Sequence, residues 1–180
     1  MVAALQRSYV PSRNSTMMTQ SDLPVVRSMS PADAGGVGQM ALELAAAVGD
    51  PPPVLDASQL LRDGSGPERW FDCFVAELKG ALVGYAIACK GFEAHTGRRR
   101  LWIGDLYVRQ VARGRGVGRA LMRELARHAL DLGCEALYWD LWRKNVAGAL
   151  FYERLAAEEE AELAIMRLDK QHLAALSDAD

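Results

Sequence analysis

A stretch rich in arginine and glycine precedes an apolar-periodic segment in the second half of the chain, from Val111 to Met122 (VARGRGVGRALM). At the start of a helix, backbone N–H groups lack intrahelical partners and carry a partial positive charge, so they attract an anion. Glycines let a phosphate approach these groups, and guanidinium groups match its oxygens. The stretch predicts a site for a pyrophosphate-bearing cofactor; the alternative is a turn with solvated arginines. The predicted binding residues are Arg113, Gly114, Arg115, Gly116, Val117, Gly118 and Arg119.

Two nucleotide-binding patterns match this stretch incompletely. A P-loop ends in Gly-Lys-Ser/Thr, but Gly118 is followed by Arg119 and an alanine, which excludes that pattern. A dinucleotide fingerprint, GxGxxG, counted from Gly114 places its last glycine on Arg119 and is therefore only partly met. Asp140 ends the next predicted strand about 20 residues on, where such a site holds a ribose. A nicotinamide-dependent reductase stays open as an alternative.

Composition limits the classes of function. The 180 residues are 50% hydrophobic, which suffices for one core, and the net charge of -2 argues against a generally basic nucleic-acid-binding protein. No run approaches the roughly 20 apolar residues of a membrane span. The 3 cysteines are widely spaced and odd in number, which argues against a disulfide framework and a zinc site and favours the cytoplasm. Residues 1–22 predict a flexible leader, and residues 23–180 a single domain without a metal.

The first half of the regular region predicts helices followed by an antiparallel meander. After a short strand from Val25 to Met29, Ser30 and Pro31 begin a helix that runs to about Val48. The other predicted elements are a helix from Asp56 to about Arg62 and strands over Trp70–Leu78, Leu82–Phe92 and Arg100–Val108.

The second half predicts a crossover between parallel strands. A helix with apolar residues from Val117 to Leu132 follows the glycine turn and leads to a strand over Ala136–Leu141. A strand, a turn, a helix and a second strand make a βαβ unit, so this strand is expected beside Leu101–Val108 and parallel to it. A helix over Asn145–Leu155, a strand over Glu162–Leu168 and a short C-terminal helix complete the prediction. The fold class is therefore α/β (mixed α+β): a mixed, mostly antiparallel sheet with helices on both faces.

A better match for the glycine stretch is RxxGxG, met by Arg113, Gly116 and Gly118. The pattern Asn, small residue, Phe-Tyr follows on a predicted helix as Asn145, Ala149, Phe151 and Tyr152. In this order of elements, the two motifs resemble the GNAT superfamily of N-acetyltransferases. Two further blocks look like the diamine (spermidine/spermine) N-acetyltransferases, namely LLRDGSGPERWFDCFVAE at Leu60–Glu77 and RLDKQHLAAL at Arg167–Leu176.

The resemblance implies acetyl-coenzyme A as cosubstrate, bound between splayed parallel strands, and a homodimer. Backbone groups of Leu106, Tyr107 and Val108 would hold the pantetheine arm and polarise the thioester. Tyr152 would protonate the departing thiolate as the amine attacks directly in a ternary complex; its alternative role is a core tyrosine. Asn145 would orient the cofactor, although helix capping alone also explains it.

The resemblance breaks at the position of the expected base. An acceptor amine must lose a proton before it attacks, because an alkyl ammonium has a pKa of about 10. The diamine enzymes carry an adjacent Glu-Asp pair on this strand, and this chain has Gly104 and Asp105. Asp105 is the remaining candidate base, although strand alternation would point it away from residue 104. An equal alternative is a structural aspartate paired with an arginine. The acceptor is therefore expected to be a small-molecule primary amine of the polyamine, diamine or amino-acid type, and a non-catalytic acyl-coenzyme A sensor stays open.

A second departure from the family lies at Ala156, where the family usually has a glycine after the Phe-Tyr helix. The substitution is expected to shift the end of that helix and to matter little to the chemistry.

Overall fold

The computed structural model of the protein describes residues 23–53 and 56–177. The predicted leader at 1–22 lies outside the described residues. The strands are β1 (Val25–Ser28), β2 (Asp72–Leu78), β3 (Ala81–Glu93), β4 (Arg98–Val108) and β5 (Ala136–Tyr138). The helices are α1 (Ala34–Val48), α2 (Ala57–Gly64), α3 (Val117–Asp131), α4 (Val146–Glu153) and α5 (Lys170–Ser177), with 3-10 turns at Pro31–Asp33 and Gln110–Ala112.

The five strands form one sheet in the order β1-β2-β3-β4-β5. The first four pair antiparallel, and β4 pairs parallel with β5. The β2–β3 hairpin turns at Lys79 and Gly80, whose φ angles of 54° and 78° suit the twist of a tight two-residue connection. The structure thus confirms the predicted mixed sheet with one parallel pair.

Helices cover both faces of this sheet, as predicted. On one face, α3 buries Val117, Leu121 and Leu125 against apolar residues of the central strands, in one core cluster. On the other face, α1 and α2 pack over a second cluster that includes Val75 and Tyr85. Each strand side chain therefore points either toward α3 or toward α1 and α2.

The predicted helix boundaries follow from local capping. The Asp56 carboxylate accepts a hydrogen bond from the Gln59 N–H at 2.7 Å, so Asp56 caps α2. At its other end α1 stops at Gly49, which adopts a φ of 81° that favours glycine. Both caps depend only on residues within one turn, and the sequence patterns predicted the Asp56 cap and the end of α1 at Val48 correctly.

Two predicted strands differ from the structure. The strand expected over Ala136–Leu141 ends at Tyr138, because the chain diverges from β4 beyond that residue. The strand expected over Glu162–Leu168 is wrong, because this segment is exposed along its length and pairs with no described strand. An alternating apolar pattern requires a neighbouring strand and a core to lie on, and the fold provides neither at this place. Among the described residues, no helix is long and apolar enough to cross a membrane.

Candidate active site

The parallel pair β4–β5 is joined at one end and open at the other. Three residue pairs connect the strands, ending with Trp102 opposite Tyr138, and the chains then separate. The Arg100 guanidinium lies 4.4 Å from the centre of the Tyr138 ring, and Arg99 donates a hydrogen bond to the Leu132 carbonyl at 3.0 Å. These contacts tie β4 to β5 and to the end of α3, and they leave a slot beside the second half of β4.

A β-bulge interrupts β4 where the slot opens. Ile103 pairs with Ala88 and Asp105 pairs with Ile87, so Gly104 has no partner of its own. In such a bulge two residues oppose one, and both turn toward the same face. A Cβ on Gly104 would lie 3.8 Å from Ile87 on the α1–α2 face, the face on which Asp105 also lies. The expectation that Asp105 points away from residue 104 is therefore wrong, because the bulge breaks the alternation.

Asp105 is a partly buried carboxylate with one defined partner. The Tyr85 hydroxyl donates a hydrogen bond to its Oδ2 at 3.1 Å. Burial raises the pKa of Asp105, and the negative charge of Asp140 raises it further, while the Tyr85 hydrogen bond lowers it. A raised pKa makes this carboxylate a stronger base than an exposed aspartate. Burial also raises the pKa of Tyr85, which keeps its hydroxyl as the donor.

The backbone of β4 presents alternate residues to the slot. The Arg109 N–H donates to the Val83 carbonyl of the preceding hairpin strand at 2.9 Å, so groups at Arg109 and Tyr107 face β3. By strand alternation the N–H and C=O groups of Leu106 and Val108 face the slot. The Tyr107 side chain lies on the α1 side, where its hydroxyl bonds Glu43 at 3.2 Å.

The glycine turn leads directly into α3. Gly114 and Gly116 have φ angles of 73° and 81°, in a region that favours glycine, and α3 begins at Val117. The first N–H groups of a helix have no intrahelical acceptor. Arg115 and Arg119 are exposed beside them. This set of backbone donors and guanidinium groups fits a pyrophosphate.

Arg113 and Gly118, two residues of the RxxGxG motif, also contact neighbouring elements of the fold. The Arg113 Nε donates to the Val108 carbonyl at 3.0 Å, which ties the turn to the end of β4. A Cβ on Gly118 would come within 3.3 Å of the Phe151 ring, so glycine allows α4 to pack closely against α3. The motif therefore shapes the turn as well as offering donors.

Tyr152 lies on α4 against the core on the α3 side. Its ring centre is 4.7 Å from that of Trp139 and 5.0 Å from that of Phe151. Burial raises the pKa of Tyr152, and the charge of Asp140 raises it further. The phenol is therefore protonated at neutral pH, which is the state a general acid requires.

Asn145 caps the helix that carries Tyr152. Its Oδ1 accepts a hydrogen bond from the Gly148 N–H at 2.9 Å. A Cβ on Gly148 would lie 2.5 Å from the Asn145 amide, so glycine makes room for this cap. Asn145 thereby fixes the start of α4, and this capping role does not depend on a bound cofactor.

Two site residues were missed or misjudged in the sequence. Nothing in the spacing of Tyr85 links it to Asp105, because the two residues meet only through the pairing of β3 with β4. The sequence pattern links Asp140 only to a ribose, whereas in the structure its charge acts on both Asp105 and Tyr152. Within 23–53 and 56–177, no group of three or more His, Cys, Asp or Glu side chains could hold a metal ion.

Comparison with known proteins identifies the family. The Acetyltransferase (GNAT) family matches residues 41–157. A thialysine N-epsilon-acetyltransferase of Sus scrofa is 29% identical over 147 residues, covering 77% of this chain and 86% of that protein. A spermidine/spermine N(1)-acetyltransferase-like protein 1 of Homo sapiens is 31% identical over 105 residues, covering 54% of this chain and 15% of that protein.

Solved structures share the fold. An integron cassette protein from the mobile metagenome of V. cholerae superposes with a TM-score of 0.72 at 21% identity, covering 87% of this chain and 98% of that one. A ribosomal-protein-alanine N-acetyltransferase from Brucella melitensis biovar Abortus superposes with a TM-score of 0.67 at 26% identity, covering 81% and 99%. The reductase alternative is therefore wrong. The splayed strands, the bulge, the glycine turn and the family match together show that this chain belongs to the GNAT family of acetyltransferases.

Proposed function

We propose that this chain transfers an acetyl group from acetyl-coenzyme A to a primary amine of a small cationic molecule, directly and in a ternary complex. The observation that carries the proposal is the separation of β4 from β5 beyond Trp102 and Tyr138. The partly buried carboxylate of Asp105 lies on one face of the sheet there, and the phenol of Tyr152 lies on the other. Relatives named for thialysine and for spermidine or spermine support an acceptor with an alkyl ammonium group.

The slot and the glycine turn are the proposed site for acetyl-coenzyme A, which supplies an activated acetyl group. The turn residues Arg113 to Arg119 would hold the pyrophosphate through the first N–H groups of α3 and through Arg115 and Arg119. Leu106 and Val108 would hold the pantetheine arm through their backbone groups. Tyr107, which lies between them, would keep this part of β4 in position through its pairing with β3.

Two side chains would move the protons. Asp105 would accept a proton from the acceptor ammonium, directly or through a water molecule, because its raised pKa makes it the stronger base. The free amine then attacks the thioester carbonyl, and the bond to sulfur breaks. Tyr152 would give its proton to the departing thiolate, and the second proton that the nitrogen loses as the amide forms would return to the Tyr152 phenolate through water. Asn145 would support this step by fixing the start of α4.

Three further properties belong to the same proposal. We propose that residues 23–180 form one acetyltransferase domain, that it works as a homodimer without nucleic-acid or membrane partners, and that it is cytoplasmic. The free state of Cys73, Cys89 and Cys134 supports the location, because reduced thiols are usual in the cytoplasm. Exposed apolar side chains near the C-terminus support the dimer.

The test is thiol release from acetyl-coenzyme A by purified protein, with putrescine, spermidine, thialysine, lysine and an aminoglycoside as acceptors. Turnover is expected with at least one alkyl ammonium acceptor. Tyr152→Phe is expected to lower kcat by about 10²- to 10⁴-fold, the usual contribution of a general acid. The variant should keep the rise in melting temperature that acetyl-coenzyme A produces, because the glycine turn is unchanged.

Each other outcome has a definite meaning. A thermal shift with no turnover on any acceptor would favour an acyl-coenzyme A sensor, for which the glycine at position 104 provides a reason. No thermal shift with acetyl-coenzyme A would contradict the cofactor assignment itself.

A further inference from the structure

Asp140 lies in the segment that follows β5, where the chain separates from β4 near the bulge at Gly104. The last pair between β4 and β5 is Trp102 opposite Tyr138. Gly104 is two residues beyond that pair on one strand, and Asp140 is two residues beyond it on the other. Asp140 and the position at which the sequence lacks the expected glutamate therefore lie equally far beyond the last strand pair, on the two separating segments.

The neighbours of Asp140 indicate the face on which its carboxylate lies. Trp139 packs against the core on the α3 side and contacts Tyr152. Tyr138 lies on the opposite face, where the Arg100 guanidinium covers its ring. The alternation that places Tyr138 and Trp139 on opposite faces, carried one residue further, puts Asp140 on the face of Tyr138. Asp105 and the Cβ direction of Gly104 lie on that same face.

The surroundings of Asp140 leave its charge available to a ligand. Its side chain is exposed, and it forms no ion pair or hydrogen bond within the described part of the chain. Its negative charge nevertheless reaches both proton-moving groups and raises the pKa values of Asp105 and Tyr152. A cation bound between Asp140 and Asp105 would balance both carboxylates.

We propose that Asp140 is a specificity-determining residue that binds the ammonium group of the acceptor from the segment after β5, in place of the glutamate that position 104 lacks. The inference rests on the proposed function, since it concerns the acceptor of that reaction. It assigns the site to cationic amines and predicts poor use of amines whose other groups are neutral or anionic.

The open space at Gly104 allows a reciprocal test. A Cβ there meets nothing closer than 3.8 Å, and the residue does not have a positive φ, so a side chain is compatible with the bulge. Gly104→Glu should place a carboxylate opposite Asp140. If Asp140 substitutes for that carboxylate, the added glutamate should compensate for the loss of Asp140.

Steady-state kinetics are measured with putrescine and thialysine as probes for wild type, Asp140→Asn, and Asp140→Asn combined with Gly104→Glu or with Gly104→Ala. Asp140→Asn is expected to raise KM for the amine by about tenfold or more, since a charge-assisted contact is lost, with kcat changed far less. KM for acetyl-coenzyme A should stay unchanged. The glutamate should restore KM for the amine, and the alanine should not.

Asp131→Asn is the matched control, because it removes an exposed carboxylate at the end of α3, away from the slot. An unchanged KM for both probes in Asp140→Asn, with active wild type, would overturn the role of Asp140 and leave the proposed function standing. A loss of kcat that Gly104→Glu does not repair would also overturn it, in favour of a structural role. Wild type that turns over neither probe nor any other amine would contradict the proposed function, and the inference with it.

Discussion

The burial of Asp105 makes its ionised form unfavourable, and the same burial makes its carboxylate a better proton acceptor. It is partly buried, it receives one hydrogen bond from Tyr85, and no ion pair of its carboxylate is present among the described residues. The cost of keeping a charge there is the cause of its raised pKa. Sites that must accept protons are often built in this way, with a group held in an environment that favours its protonated form.

The raised pKa predicts a pH-dependent effect of Asp105→Asn on stability. The folded-state pKa lies above the ordinary value of about 4, so between the two values the folded protein binds more protons than the unfolded chain. Wild-type stability therefore falls as pH rises through this window, and the ionised carboxylate remains a cost above it. Asparagine removes that cost and can still accept the Tyr85 hydrogen bond.

We expect Asp105→Asn to be more stable than wild type at pH 7 and equally stable below pH of about 3.5, where both states of the wild type are protonated. Urea unfolding at several pH values measures this difference. Turnover should fall by about 10²-fold or more. A variant less stable than wild type at pH 7 would show that the carboxylate serves the fold instead of the reaction.

Hydrogen bonds at the C-terminal end of α4 fix the backbone at Tyr152. The Ala157 N–H bonds the Tyr152 carbonyl at 3.2 Å, and the Ala156 N–H bonds the Glu153 carbonyl at 2.9 Å. This is the hydrogen-bond pattern of a helix end with a left-handed residue at the turn. Ala156 adopts a φ of 58°, a conformation that disfavours a Cβ. The departure from the family glycine thus leaves the helix end intact and strains one residue.

Ala156→Gly should therefore stabilise the protein. We expect a gain of about 1 kcal/mol, since the left-handed conformation costs a non-glycine residue about that much. The melting temperature should rise by roughly 2–4 °C for a chain of this size. Ala157→Gly is the control, because Ala157 does not have a positive φ, and it should bring no gain. Equal effects of the two variants would refute strain at Ala156.

Three consecutive arginines at the start of β4 contact the neighbouring strands and the end of α3. Arg98 pairs with Glu135, Arg99 bonds the carbonyl at the end of α3, and Arg100 pairs with Glu93 while covering Tyr138. These contacts lie at the joined end of the two parallel strands. They hold β5 to β4 over its three paired residues, so the slot opens from a fixed point.

At the scale of the whole molecule, the segment after α4 exposes several large apolar side chains. Leu163 and Ile165 are 68% exposed and Met166 is 89% exposed. The segment carries the residues of the predicted last strand, and β5, the last strand of the sheet, has no second neighbour among the described strands. An unpaired strand pattern and an uncovered sheet edge in one chain favour pairing between two copies.

We expect the native protein to sediment at twice the mass of the chain. Replacing Ile165 and Met166 together by serine should shift the protein toward the monomer without lowering the melting temperature of the monomer, because these side chains bury nothing within it. Analytical ultracentrifugation measures both. Leu130→Ser, an exposed site on α3, is the control and should leave the mass unchanged. A wild-type monomer at all concentrations tested would contradict the homodimer.

The sequence by itself determined the features that depend on nearby residues. The caps at Asp56 and Asn145, the apolar stripe of α3 and the glycine turn before it are all set within a few positions of the chain. Helix termini and periodic faces are local properties, so their patterns can be read in order along the sequence. The family motifs lie in these same local elements, which is why the GNAT resemblance was visible before the fold.

Only the tertiary structure decided how the site is assembled. The bulge that turns Gly104 and Asp105 to one face arises from the register between β3 and β4, and the Tyr85 hydrogen bond comes from the same pairing. Asp140 acts on Asp105 because two strands distant in sequence run side by side and then separate. The last predicted strand failed for the corresponding reason, since a strand exists only where a partner lies beside it. Contacts between strands bring together residues whose spacing in the chain carries no signal of their meeting.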